Sequence, residues 1–147
     1  MDFFIFLTPI GNQILNDLVS SKIRVYENIG MCRTEKIFGY LKNSDKLIIC
    51  TDNIQNSGYD PYTYVNETLY HESVHVAQSC RSKKTFGFSR TLGIPKEKMP
   101  LSEHKKTEIR KSVAISNNPG NIHREHEAYY FEDKPHTISK YIRKYCF

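Results

Sequence analysis

The spacing of apolar residues in the first third of the chain predicts one helix followed by a small β region. Apolar residues recur at helical spacing between positions 10 and 18, after a Thr8-Pro9 pair that combines a capping hydroxyl with a proline in the first helical turn. This pattern predicts a helix over residues 9–20. Residues 22–41 and 46–50 are rich in β-branched and aromatic types, and a polar break separates them. The two stretches are therefore predicted to form a β-hairpin.

A long helix is predicted to follow this hairpin. Asp60-Pro61 supplies an N-cap and a first-turn proline, and neither glycine nor proline interrupts residues 62–80. The apolar positions in this stretch lie on either side of a polar face. Residues 81–101 contain two glycines and two prolines, so they are predicted to form a loop that ends the helix.

The C-terminal third is predicted to be helical as well. Ser102 would cap a helix that reaches about residue 114. After a break at residues 117–120, a helical pattern returns over residues 121–134, and a last short helix follows Pro135. A chain of 147 residues with this order of elements is predicted to be a single α+β domain.

The long predicted helix carries the sequence H-E-x-x-H at residues 71–75. His71 and His75 are four residues apart, so both rings lie on one helical face and can reach one metal ion. Glu72 is turned about 100° from His71, where it can deprotonate a metal-activated water. The motif therefore predicts a zinc site with two histidine ligands and a glutamate general base.

A catalytic zinc usually has three protein ligands, so a third ligand is expected from elsewhere in the chain. Glu125 and Glu127 lie on the predicted helix over residues 121–134. They are offset by about 200° on a helix, so only one of the two can face the metal. His123 and His126 on the same helix are further alternatives.

The two helices together resemble those of the gluzincin metallopeptidases. In that family H-E-x-x-H is followed, on another helix, by a glutamate ligand that often begins an E-x-x-A sequence. Residues 125–128 read E-H-E-A, which matches with Glu125 as the ligand and Ala128 as the small residue that allows close helix packing. The resemblance covers residues 60–80 and 119–134 and is closest to the small, single-domain gluzincin cores.

The resemblance implies a zincin-like domain over residues 1–147, with a small twisted, mostly antiparallel sheet packed on the motif helix and with C-terminal helices. It implies a Zn²⁺ ion held by His71, His75 and Glu125. It also implies hydrolysis of peptide bonds in a peptide or protein substrate, with Glu72 as the catalytic general base. In small gluzincins an edge strand above the cleft pairs with an extended peptide, and the strand at residues 47–50 is expected to take that role.

One position departs from the family pattern. Several gluzincins have an aspartate directly after the alanine, where it orients a ligand histidine, and this chain has Tyr129 there. The orienting group is therefore expected to be Glu132, Asp133 or a backbone carbonyl. A hydrogen-bond donor for the oxyanion of the reaction is expected among Tyr129, Tyr130 and His123.

The charge of the chain keeps two other functions open. Lys and Arg outnumber Asp and Glu by 21 to 16, and residues 81–111 contain the densest group of basic side chains. A DNA-associated basic protein is one alternative to the peptidase, although the segment has too few aromatic residues for a base-stacking platform. A non-catalytic binding or regulatory protein that retains the zinc fold is the other.

Four cysteines are widely separated and include no C-x-x-C pair, which argues against a zinc ribbon and a thioredoxin-type redox site. The apolar stretch at residues 3–7 lacks a basic n-region and is a poor signal peptide. Reduced thiols and a cytoplasmic location are therefore expected. No apolar run approaches the ~20 residues that a membrane span requires, so no membrane span is expected.

Overall fold

The computed structural model describes residues 3–147 and has an α+β fold, as predicted. Within this range there are six α-helices and a three-stranded sheet. The elements are α1 (Pro9–Ser20), β1 (Arg24–Glu27), β2 (Gly39–Lys42), β3 (Lys46–Ile49), α2 (Thr51–Asn56), α3 (Pro61–Lys84), α4 (Glu103–Ser116), α5 (Ile122–Phe131) and α6 (Pro135–Cys146). Short 3₁₀ turns lie at Phe3–Phe6, Gly30–Arg33, Lys96–Lys98 and Pro119–Asn121.

The sheet has the order β1-β3-β2 and is mixed rather than mostly antiparallel. β2 and β3 form the predicted hairpin, and Asn43 and Ser44 turn the chain with positive φ angles of 55° and 64°. β1 pairs with β3 in parallel, with Val25 opposite Leu47. The chain between β1 and β2 crosses the sheet, so β1 lies beside β3 in the same direction instead of extending the hairpin.

The long helix α3 lies at the centre of the fold and carries both the core and the polar face. Its start is the predicted one: the Asp60 side chain accepts hydrogen bonds from the backbone N–H groups of Tyr62 and Thr63, and Pro61 occupies the first turn. The helix continues one turn beyond residue 80, because the next glycine is at 87 and basic side chains in the last turn favour the C-terminal end of a helix. Its apolar side packs against α1, α6 and the sheet.

The other helices differ from the prediction mainly at their ends. α1 has the predicted bounds, and α4 begins at the predicted Ser102 cap. α5 ends at Phe131, three residues before the predicted end. α2 was not predicted, because residues 51–56 have no apolar periodicity and only two of them, Thr51 and Ile54, are buried.

Two disulfides make the prediction of reduced thiols wrong. Cys32 bonds to Cys50, which follows β3, and Cys80 in α3 bonds to Cys146 at the end of α6. The pairings join residues 18 and 66 positions apart, so they depend on the tertiary fold and not on a local spacing. No helix within residues 3–147 is long and apolar enough to cross a membrane.

We expect the Cys80–Cys146 bond to stabilise the fold strongly, because it closes the longer of the two loops. The variant Cys80→Ala/Cys146→Ala should lose about 4 kcal/mol in the free energy of unfolding, and Cys32→Ala/Cys50→Ala about 3 kcal/mol. Urea denaturation of both variants and of the parent protein measures these losses. Free thiols in the unreduced, denatured parent protein would contradict the pairings.

Candidate metal centre

One face of α3 forms the floor of a cleft of about 1020 Å³. Side chains spaced three and four residues apart face this cleft, as expected for a single helical stripe. They are Tyr64, Glu67, Thr68, His71, Glu72, His75 and Ser79. One wall of the cleft consists of β2 and the residues before it, and the other consists of α4 and α5.

The three predicted metal ligands meet where the α3 floor joins the α5 wall. His75 Nε2 lies 2.8 Å from Oε1 of Glu125, and His71 Nε2 lies 3.4 Å from Oε2 of the same carboxylate. One potential ligand atom from each of the three residues falls within 4.8 Å of the other two. The set of two imidazole nitrogens and one carboxylate oxygen is the donor set that catalytic zinc sites use, so these residues fit a zinc ion.

Both histidines are oriented by hydrogen bonds on the opposite side of the ring. His71 Nδ1 lies 2.9 Å from Oε2 of Glu132, a carboxylate that can only accept, so Nδ1 carries the proton. Lys105 of α4 lies 3.4 Å from the other oxygen of Glu132. Of the orienting groups expected from the sequence, Glu132 is the one that reaches a ligand histidine.

Gln78 orients His75, and the sequence analysis did not identify it. Its Nε2 donates to Oε1 of Glu127 at 2.8 Å and to the backbone oxygen of Arg124 at 3.0 Å. Both partners only accept, so the amide orientation is fixed and Oε1 accepts from Nδ1 of His75 at 2.8 Å. Gln78 lies three residues after His75, a helical spacing that brings the two side chains together.

Glu127 faces away from the histidines and is completely buried. Its carboxylate accepts hydrogen bonds from the backbone N–H groups of Leu92 (2.7 and 2.9 Å) and Ile94 (3.3 Å), as well as from Gln78. Of the two glutamates left open by the sequence, Glu125 therefore faces the histidines. Glu127 holds the segment after α3 against α5.

The two histidines considered as alternative ligands also lie elsewhere. His123 Nε2 is 2.8 Å from the backbone oxygen of Ile94, and His126 Nε2 is 2.7 Å from that of Met99. Each of these imidazoles thus contacts the segment that links α3 to α4.

Among the residues predicted to stabilise an oxyanion, Tyr129 is the one that lines the cleft. Its ring packs edge-on against His71, with 4.7 Å between the ring centroids. Burial raises the pKa of the Tyr129 phenol above its usual value, and the carboxylates of Glu125 and Glu132 raise it further. The hydroxyl is therefore protonated and able to donate. Tyr130 packs against Phe131 and lies under the Lys134 ammonium.

Glu72 is 8% exposed and lies on the cleft floor between the histidines and β2. Burial raises its pKa, and the charges of His75 and His71 oppose this shift. None of the hydrogen bonds among the groups that the structure describes involves its carboxylate, and the residue lines the cleft. The close approach of β2 requires Gly39, because a Cβ there would lie 2.6 Å from Thr68 and 3.4 Å from the Glu72 side chain.

Direct contact between His71 and Glu125 shifts the pKa values of both side chains. Burial lowers the pKa of His71, but the hydrogen bonds to Glu125 and Glu132 outweigh burial and raise that pKa well above its usual value. Burial likewise raises the pKa of Glu125, but hydrogen bonds with His71 and His75 outweigh it and lower the pKa well below its usual range. The carboxylates of Glu125 and Glu132 therefore favour the protonated form of His71, and the two histidines favour the ionised form of Glu125.

The strand beside the cleft is β2, and the prediction for residues 47–50 was wrong. β3 lies between β1 and β2, so its backbone is paired on both sides. Gly39, Tyr40 and Leu41 of the edge strand β2 line the cleft instead. The first strand of the hairpin, and not the second, thus has a free edge next to the site.

An aromatic cluster lines the cleft at the end nearest the start of α3. Tyr59 and Tyr64 stack with 4.8 Å between ring centroids, and Phe38 packs edge-on against both. The sequence analysis did not single out these residues, because they lie on separate segments and only the fold brings them together. They give the cleft an apolar end beside the polar centre.

Residues 3–147 match the model of a protein family described as Domain of unknown function (DUF8637). The chain belongs to this family. The matched region runs from the first 3₁₀ turn through α6, so it includes the histidines, Glu72 and Glu125. The comparison with curated proteins gave no match, and neither did the comparison with solved structures.

We expect Glu127 to contribute to stability through its hydrogen bonds. In Glu127→Gln an amide NH₂ replaces one acceptor oxygen and meets N–H donors, which should lower the free energy of unfolding by about 2–3 kcal/mol. Urea denaturation measures the loss. Glu103→Gln, at an exposed position, is the control and should change stability by less than about 0.5 kcal/mol. Equal losses in the two variants would contradict the role assigned to Glu127.

Proposed function

We propose that this chain is a zinc-dependent peptidase of the gluzincin type. The observation that carries the proposal is the convergence of His71, His75 and Glu125 in the cleft, beside the buried carboxylate of Glu72. Two histidines alone have many structural roles. A third donor from a separate helix, aimed at both imidazoles, supports a metal site more strongly.

His71 and His75 would hold the ion through Nε2, and Glu125 through its carboxylate. Glu132 and Gln78 support this role, because they bind the Nδ1 protons and leave each Nε2 directed at Glu125. When bound, a zinc ion lowers the pKa of a coordinated water towards neutrality and polarises a substrate carbonyl.

Glu72 would act as the general base and then as the general acid. Its carboxylate takes a proton from the water that attacks the peptide carbonyl carbon, and it later gives that proton to the leaving amine when the C–N bond breaks. The free hydrogen-bonding capacity of the Glu72 oxygens supports this role. Tyr129, which lines the cleft, is the proposed hydrogen-bond donor to the oxyanion.

The shape of the cleft supports an extended peptide as the substrate. The edge strand β2 borders the site, and an extended peptide can pair with such an edge through main-chain hydrogen bonds. The cluster of Phe38, Tyr59 and Tyr64 would then accommodate an apolar substrate side chain at one end of the cleft. A protein substrate would have to present an exposed, extended segment.

The two disulfides bear on the compartment in which the peptidase would act. Disulfides persist in oxidising compartments and are rare in the cytoplasm, so we propose an oxidising compartment in place of the cytoplasmic location expected from the sequence.

We expect the purified protein to contain about one zinc ion per chain. The variants His75→Ala and Glu125→Ala should lose the metal, because each removes one of three protein ligands. Elemental analysis measures the content, and Glu103→Ala, at an exposed position of α4, is the control that should keep it. No zinc in the parent protein, even after refolding with the metal, would contradict the proposal. Full zinc in Glu125→Ala would exclude Glu125 as a ligand.

We expect Glu72→Gln to retain zinc and to lose peptide cleavage by at least about a hundredfold, because the amide cannot accept the proton of the attacking water. Cleavage of a mixture of unstructured peptides, followed by mass spectrometry, measures the activity. A metal-loaded parent protein that cleaves nothing would favour a non-catalytic protein that retains the zinc fold. Unchanged cleavage by Glu72→Gln would exclude Glu72 as the base.

A further inference from the structure

Two aromatic side chains lie almost wholly in solvent at the turn that follows α3. Phe86 is 91% exposed and Phe88 is 93% exposed. Tyr59, Tyr62 and Ile5, by comparison, are 55–64% exposed. Exposing two neighbouring phenylalanine rings to this extent is unfavourable in water, so this turn is a candidate interaction surface.

The turn is held by hydrogen bonds. The backbone N–H of Gly87 donates to Ser82 at 2.8 Å, that of Phe88 donates to Thr85 at 3.1 Å, and that of Phe86 donates to Lys83 at 3.4 Å. Phe86 and Gly87 have φ angles of 54° and 83°, which fold the turn back on the helix end. The exposed rings are therefore carried on a backbone whose N–H groups are paired from residue 85 to residue 89.

The base of the turn is fixed as well. Arg81 donates from Nη1 to the Ser89 hydroxyl and to the Thr91 backbone oxygen, the latter at 2.8 Å. Gly93 leaves room for this guanidinium, because a Cβ there would lie 2.9 Å from Nη2 of Arg81. Leu92 and Ile94 are bound by Glu127, so both ends of the turn are attached to the body of the protein.

The surroundings of the rings are positively charged. The chain has no acidic residue from 81 to 96, and Lys83, Lys84 and Arg90 in this segment are exposed. Lys84 donates from Nζ to the backbone oxygen of Lys144 at 3.2 Å, which brings the basic end of α6 beside the turn. Residues 134–147 likewise contain no Asp or Glu.

We propose that the turn at residues 85–90, carrying Phe86 and Phe88, inserts into the surface of an anionic lipid bilayer. Aromatic side chains enter the interface between head groups and acyl chains, and flanking Lys and Arg side chains bind anionic head groups. The paired N–H groups of residues 85–89 favour a bilayer, because unpaired donors are costly in an apolar medium.

A nucleic acid is the less suitable partner. Proteins that stack bases on aromatic rings usually place the rings along a groove that follows the phosphate backbone. Phe86 and Phe88 lie on a turn and do not line the cleft. The turn also begins ten residues after His75, about 15 Å along the direction of α3, so membrane contact there leaves the proposed peptidase site open.

The absence of tryptophan from the chain allows a direct test. In Phe88→Trp the single tryptophan should shift its emission to shorter wavelength when vesicles of phosphatidylcholine and phosphatidylglycerol are added, and brominated lipids should quench it. The protein should bind vesicles of phosphatidylcholine alone at least about tenfold more weakly than the mixed vesicles, because phosphatidylcholine lacks the negative charge that Lys and Arg side chains bind. Binding should weaken as the salt concentration rises.

Co-sedimentation of the otherwise unchanged protein with the same vesicles provides the controls. Phe86→Ser/Phe88→Ser and, separately, Lys83→Glu/Lys84→Glu should each weaken binding at least about tenfold. Ile5→Ser/Ile115→Ser, which removes two exposed apolar side chains elsewhere, should bind like the parent protein. No binding to anionic vesicles, equal binding by all variants, or tryptophan quenching by single-stranded DNA without vesicle binding would overturn the proposal.

Discussion

The polar stripe on the buried helix α3 is the constraint on which the rest of the structure depends. Ionisable groups taken out of water are costly unless they are paired, and α3 places His71, Glu72 and His75 at the floor of a cleft within the core. Glu125, Glu132 and Gln78 supply the partners. The opposite side of the same helix, with Val65, Leu69, Val76 and Ala77, fixes the helix in the core, so the stripe cannot turn away from its partners.

The partners of the two histidines also determine how the later elements are arranged. Glu132 is shared between His71 and Lys105, which attaches α4 to the end of α5. Gln78 is shared between His75 and Glu127, and Glu127 in turn holds the backbone at 92–94. The long segment between α3 and α4 is thereby anchored at the site. Its basic, aromatic turn at residues 85–90 is then presented from a fixed base.

The proposed peptidase activity and the proposed membrane-binding turn are compatible in this fold. The cleft lies along the middle of α3, between β2 and the pair α4 and α5, whereas the turn follows the end of that helix. A protein attached through the turn would keep its cleft accessible, so its substrates would be peptide segments near the bilayer surface. The family model spans residues 3–147, and both features lie within the matched region.

Local chemistry by itself determined α1, the start of α3, the cap of α4 and the stripe of residues 71–75, because helix caps and i, i+4 spacing act between neighbours in the chain. The helical offset between Glu125 and Glu127 likewise required that only one face the histidines. The tertiary structure alone decided which of these two glutamates faces the histidines and that β3 lies at the centre of the sheet. It also decided that Gln78 is the partner of His75 and how the four cysteines pair. Each depends on contact between segments far apart in the chain, and such contacts leave no local periodicity.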